Sequence, residues 1–135
     1  MAGARVGYGL ASDPSVAAKV QSHAINFAVS ALGFAAAYAS YKDTAALRTY
    51  LDFNRVQRER LQNAMAELGL NVIPSAANFV SVKLPVSAAA MLPELAAGGV
   101  YCGQWHDPAF SDFIRVGVGV EADNDRFIST LARLL

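Results

Sequence analysis

The sequence predicts an α/β protein in which a helix-rich opening section with one strand leads into a compact α+β unit. Three observations carry this reading. From Val20 to Tyr41 there is no Asp, Glu, Lys or Arg, and alanine dominates, a composition with high helix propensity. Between Phe53 and Leu68 apolar residues recur at helical spacing. From Asn71 onward short apolar runs, bounded by turn residues, alternate with two helical stretches. The expected divisions are residues 1–45, a connecting helix over 46–70 and an α+β unit over 71–135.

Taken in order, VGYGLA reads as a short strand entering a turn. SDPSV reads as a helix start, with Ser12 or Asp13 as N-cap and Pro14 in the first turn. The alanine-rich stretch continues as helix to about Ala39, with Asn26 and Gly33 as points of breakage or bending. Phe53, Val56, Leu61, Ala64, Met65 and Leu68 then form one apolar face, and Gly69 stands at a C-terminal cap.

NVIPSAANFVSVKLP reads as extended chain, with Phe79, Ser81 and Lys83 alternating against Val80, Val82 and Leu84. SAAAMLPELAAGG is a short helix broken or started at Pro93 and ended by Gly98–Gly99. VYCGQ and FIRVGVG are strands separated by the turn-rich WHDPAFSD. DNDRFISTLARLL closes as a helix capped by Asp123 or Asn124, with Phe127, Ile128, Leu131 and Leu135 as its buried stripe.

Composition narrows the function classes. Hydrophobic residues make up 54% and charged residues 16% of the 135, a charge-poor surface that implies cover by a partner or by further chain. Eleven basic residues balance eleven acidic ones, which gives no general attraction to nucleic acid or to an anionic membrane. The uncharged stretch from Val20 to Tyr41 contains Gln21, Ser22, His23, Asn26, Ser30 and Ser40, so it reads as a buried packing helix rather than a membrane span. Cys102 is the only cysteine, which excludes an internal disulfide and implies a reducing cytoplasm.

Few residues combine into recognisable chemistry. Arg5 lies in AGARVGYG, where glycines permit close backbone approach and the guanidinium fork suits a phosphate. Arg115 lies inside the apolar run FIRVGVG, so its charge needs an internal acid such as Glu121 or Asp112, or an opening toward solvent or ligand. Gly117 and Gly119 leave the same strand face open. Asn78 in SAANFV is either a backbone cap or a ligand contact. Cys102 and His106–Asp107 lack the second pair that a metal site requires, and Trp105 and Phe110 read as packing residues.

The succession AGARVGYG, a long helix, SAANFVSV, GGVYCG and FIRVGVG before a closing helix resembles the C-terminal part of fold-type-I pyridoxal-phosphate aminotransferases of classes I and II, and most of all their histidinol-phosphate aminotransferase branch. The resemblance covers nearly the whole chain. It implies that residues 1–45 end a large cofactor-binding domain with a strand plus helices, and that 71–135 form the small C-terminal α+β domain. It implies that Arg5 holds the phosphate of pyridoxal 5'-phosphate, that Arg115 binds the substrate α-carboxylate and that Asn78 lines the edge of the substrate pocket. It places Asn26, in HAINFAVSA, near a homodimer interface. The implied reaction, part of amino-acid biosynthesis, moves an amino group between an amino acid, histidinol-phosphate-like or other, and a 2-oxo acid.

The departures matter as much. By the family spacing, the lysine that carries the cofactor would stand about four residues before Met1, and Lys19, Lys42 and Lys83 match no such motif. This chain is therefore expected to supply no catalytic residue, to bind the cofactor weakly or not at all, and to be inactive alone. Cys102, Gly103 and Gln104 stand where histidinol-phosphate enzymes usually carry an arginine. A second reading is a non-catalytic binding or oligomerisation module that reuses the small-domain fold.

Overall fold

In the computed structural model, which describes residues 2–25 and 28–135, the chain forms two units, Met1–Thr49 and Tyr50–Leu135.

The first unit is built by side-chain caps. Asp13 accepts from the Ser15 backbone N–H at 2.8 Å and starts helix α1 (Pro14–Ser22) with proline in the first turn. That same backbone bond holds the Asp13 carboxyl below its usual range. Ser30 accepts from Gly33 N at 3.0 Å and starts α2 (Ala31–Lys42). The alanine-rich stretch is thus two helices rather than one continuous element. The expected break at Asn26 lies outside the described residues. Gly33 does not break α2; it is the one buried residue of that helix. A Cβ there would stand 2.8 Å from the Ala4 carbonyl oxygen and 3.1 Å from Val6 Cγ2. Glycine is therefore what lets residues 4–6 lie against the helix.

Two expectations for this unit fail. VGYGLA forms no strand: a 3-10 turn over Ala2–Ala4 leads into irregular chain, and among the described residues no other strand of the unit is present to pair with it. The stretch from Val20 to Tyr41 is not a buried helix either, since Leu32, Phe34, Tyr38 and Tyr41 are all exposed. Among the described residues no helix is long and apolar enough to cross a membrane.

Helix α3 (Thr44–Glu67) ends at Gly69, whose φ of +78° lets Leu70 N reach the Met65 carbonyl at 3.1 Å. Its buried positions are Asn54, Gln57, Leu61 and Met65. The expected face is therefore rotated in the first turns, and Phe53 and Val56 are exposed. The two amides are buried because both find partners. Asn54 Nδ2 donates to the Ala77 carbonyl, and Gln57 Oε1 accepts from Asn124 Nδ2 at 2.9 Å.

The second unit contains a four-stranded antiparallel sheet in the order β1-β2-β4-β3. Its strands are β1 (Asn71–Ile73), β2 (Phe79–Lys83), β3 (Gly103–Gln104) and β4 (Phe113–Gly117). Pro74 and the following turn divide the expected single extended run into β1 and β2. In the expected VYCGQ strand only Gly103–Gln104 pairs. Val80, Val82, Ile114 and Val116 face helices α3, α4 (Ala88–Ala97) and α5 (Glu121–Leu134) through Leu61, Met65, Leu95, Phe127 and Leu131.

Pro93 neither starts nor breaks α4, which begins at the Ser87 cap. Pro93 and Ala89 both lie on the exposed side, where water can satisfy the carbonyl that proline leaves without its helical donor. In α5 the buried positions are Asn124, Phe127, Thr130 and Leu131, while Leu135 is exposed. Asn124 is inside the helix rather than at its cap. Its amide bonds both the N–H and the carbonyl of Gly119, at 3.1 and 3.0 Å.

Helices α4 and α5 meet at Gly98, where a Cβ would fall 2.6 Å from Thr130 Cγ2. Gly98→Ala should therefore destabilise the fold by about 1–3 kcal/mol. Adding Thr130→Ser removes that methyl and should recover a large part of the loss. Urea melts of the single and double variants measure both, and a simple sum of the two single effects would count against this contact.

Candidate functional site

The open face of the sheet carries the candidate chemistry. Register places Ile73 opposite Ser81, Ser81 opposite Arg115 and Arg115 opposite Gly103, so these four form one row across the strands. Because side chains alternate, this row lies on the face away from Val80, Val82, Ile114 and Val116. Arg115 therefore avoids the core, which is why an apolar strand tolerates its charge.

Neither expected internal acid holds Arg115. Glu121 pairs with Arg60 at 3.1 Å, and Asp112 pairs with Lys83 at 3.3 Å. Arg115 is exposed, and its guanidinium carbon lies 4.8 Å from the Phe79 ring centre and 6.0 Å from that of Trp105. Gly103 beside it bears no side chain, and Gly117 has open space where a Cβ would be. Gly119 is different: a Cβ there would meet Asp123 Cβ at 3.2 Å, so only the first of the two expected glycine openings exists.

Asn78 precedes β2 and is exposed. Its carbonyl accepts from Val118 N at 2.9 Å, while its side-chain amide forms no hydrogen bond among the described residues. The capping role considered for it belongs to Ser75, whose hydroxyl donates to the Phe79 carbonyl at 2.6 Å and accepts from Ala77 N at 3.1 Å. Asn54 and Arg58 of α3 brace the same turn through the Ala77 carbonyl.

Trp105 and Phe110, expected to pack, join Phe79 in an aromatic group. Trp105 donates from Nε1 to the Ser81 hydroxyl at 3.2 Å, and its ring lies 6.2 Å from Phe79 and 6.0 Å from Phe110. Phe110 in turn meets Phe113 edge-on at 5.3 Å. Asp107 caps the short turn Pro108–Phe110 by accepting from Ala109 N, which fixes Phe110 beside the tryptophan. Among the described residues no three His, Cys, Asp or Glu side chains cluster for a metal.

Arg5 belongs to the first unit. Its φ of 52° is the only positive value at a non-glycine among the described residues, a conformation that costs an ordinary residue of order 1 kcal/mol. Its side chain is exposed and enters no ion pair among the described residues. A guanidinium presented this way fits a phosphate. No carboxylate or lysine near it in the sequence completes a site for the rest of pyridoxal 5'-phosphate.

Burial pushes the Cys102 thiol up to about 11, from an ordinary 9.0, so at neutral pH it is a protonated, poor nucleophile. The unfolded thiol ionises first as pH rises. Stability should therefore fall between about pH 9 and 11 and level off above. The wild-type profile minus that of Cys102→Ala isolates this contribution from lysine and tyrosine titration; a flat difference would contradict it. Arg115→Lys should alter the melting free energy by less than about 1 kcal/mol, because only exposed stacking is lost. Thermal melts check it, and a loss of about 3–5 kcal/mol would mark a buried pair instead.

The chain resembles known proteins over nearly its whole length. Residues 1–131 match the family "Aminotransferase class I and II". The chain is 32% identical over 131 residues to histidinol-phosphate aminotransferase 3 of Rhizobium meliloti (strain 1021), covering 97% of this chain and 35% of that protein. It is 36% identical over 135 residues to histidinol-phosphate aminotransferase 2 of Pseudomonas fluorescens (strain Pf0-1), covering 100% and 36%. The crystal structure of histidinol-phosphate aminotransferase from Sinorhizobium meliloti in complex with pyridoxal-5'-phosphate superimposes with a TM-score of 0.73 at 26% identity, over 90% of this chain and 34% of that one. The chain thus spans roughly a third of the length of the relatives it matches.

Proposed function

The chain belongs to the class I and II aminotransferases, and from that premise we propose that it supplies the C-terminal portion of a cytoplasmic enzyme moving an amino group from an amino acid to a 2-oxo acid. In this reading residues 1–45 complete a large cofactor-binding domain, 46–70 form the connecting helix and 71–135 are the small domain. The observation that carries it is Arg115: a guanidinium on an open sheet face, stacked on aromatic rings, with both neighbouring acids engaged elsewhere.

Each residue then has a task that its surroundings permit. Arg115 binds the substrate carboxylate through two parallel N–H donors, which fixes the reacting carbon in one orientation. Asn78 offers a free amide at the edge of the same sheet. Arg5 holds the cofactor phosphate, and the cofactor when bound supplies the electron sink for the substrate carbon. The exposed apolar surface of α1 and α2, including Val20, Leu32 and Phe34, favours a homodimer in the complete enzyme.

With no lysine in the matching motif, the 135 residues alone neither transfer amino groups nor hold the cofactor covalently at one site. Borohydride reduction in the presence of pyridoxal 5'-phosphate, followed by peptide mapping, should show no stoichiometric pyridoxyl label on any single lysine. Such a label would overturn this part. Joined to the lysine-bearing upstream part of the Rhizobium meliloti relative, the chain should transfer amino groups. Arg115→Lys should then lower kcat/KM about 10- to 100-fold with an unchanged melt. Normal rates in a folded Arg115→Lys protein would assign the carboxylate elsewhere.

A further inference from the structure

Ser81 stands on the open face of the sheet, directly opposite Arg115, yet it is only 5% exposed. An apolar β-forming side chain would suit so buried a strand position better by burial alone. A hydroxyl removed from water needs a partner, and the Trp105 indole N–H supplies it at 3.2 Å. Among the described residues this is the only side-chain hydrogen bond of either residue. Serine at the centre of β2 is therefore accounted for by the indole.

The rest of the connection from β3 to β4 fixes the path of the chain but not the direction of this ring. Its far end is tied through backbone, where Leu84 N donates to the Asp112 carbonyl and Ala88 N to the Ser111 carbonyl, both at 2.8 Å. Its middle is shaped by the Asp107 cap on Ala109 N. The contacts of Trp105 with Phe79 and Phe110 tolerate several tilts, whereas a hydrogen bond weakens steeply as it bends. The bond to Ser81 is thus what sets the indole.

Arg115 depends on that setting. Its guanidinium carbon lies 4.8 Å from the Phe79 ring centre and 6.0 Å from that of Trp105. Phe79 belongs to β2 and keeps its place, but a distance near 6 Å is the outer reach of the attraction between a cation and a ring. A small swing of the indole away from the sheet would end the second contact. We propose that Ser81 is a positioning residue for carboxylate recognition: its hydroxyl orients Trp105, and the oriented indole, with Phe79, limits the conformations of Arg115. This rests on the proposed role of Arg115 as carboxylate binder.

Trp105 is the only tryptophan, so its emission reports the indole directly in the intact 135-residue chain. Ser81→Ala should raise acrylamide quenching of that emission about twofold or more, while Ser81→Thr, which keeps the hydroxyl, should restore it toward the wild-type value. Unchanged quenching in Ser81→Ala, or an equal rise in both variants, overturns the inference. In the enzyme completed with the upstream part of the Rhizobium meliloti relative, Ser81→Ala should lower kcat/KM about three- to tenfold. Trp105→Phe, which keeps a ring but has no N–H, should lose about as much, and the double variant no more than either single one. Against an Arg115→Lys background Ser81→Ala should have no further effect, because the fork it serves is gone. A full additional loss in that background would make Ser81 merely structural and overturn its role. If Arg115→Lys itself shows normal rates while quenching responds as expected, the carboxylate reading falls and the positioning role falls with it, although Ser81 still holds the indole.

Discussion

The pairing of β2 with β4 is the constraint on which the second unit depends. With Ser81 opposite Arg115, Val80, Val82, Ile114 and Val116 all turn toward the helices, and Phe79, Ser81 and Arg115 all turn away. Because the side-chain period of a strand is two, a slip of β4 by one residue would bury the guanidinium and expose Ile114 and Val116 together. The hydrophobic core therefore fixes where the charge stands. Stability and the presentation of Arg115 are two readings of one register.

Helices add a second condition to this sheet. Gly98 admits α5 to within van der Waals reach of α4, and Asn124 ties the start of α5 to Gly119 and to Gln57 of α3. A buried amide that finds all its partners costs little and permits few alternative arrangements. The chain after β4 is held in place by this polar knot, and with it Val118, whose N–H meets the Asn78 carbonyl. The two candidate residues of the second unit are consequently anchored through backbone, leaving both side chains unspent.

Much of this was legible because local rules decide it. Asp13 before Pro14, Gly69 after α3 and the β2 alternation all rest on neighbours within a few residues, which is the range that propensity and period describe. Arg115 was legible for the same reason, as a charge in an apolar run. What escaped depends on distant partners. Asn54 and Gln57 occupy the buried face of α3 because acceptors and donors at Ala77 and Asn124 await them. Trp105 and Phe110 come from a turn-rich connection without a period of its own, so nothing local reveals that Ser81 and Asp107 steer them onto the sheet. VGYGLA failed for the complementary reason: a strand exists only when another strand accepts it, and sequence patterning cannot supply that partner.

The way Arg115 is held also separates a structural arginine from a recognition arginine on physical grounds. Pairing it with Glu121 or Asp112 would satisfy its charge but consume the donor fork that a carboxylate needs. Those acids instead neutralise Arg60 and Lys83 at the periphery. The attraction to the Phe79 and Trp105 rings uses no N–H donor, so the five donors of the guanidinium are not spent on an acid. The attraction is of order 0.5–1 kcal/mol at an exposed site, enough to limit the conformations of a long side chain without competing with an incoming anion. An arginine held near rings with its donors unpaired by an acid is preorganised, and the entropy of ordering it need not be drawn from the binding of the ligand.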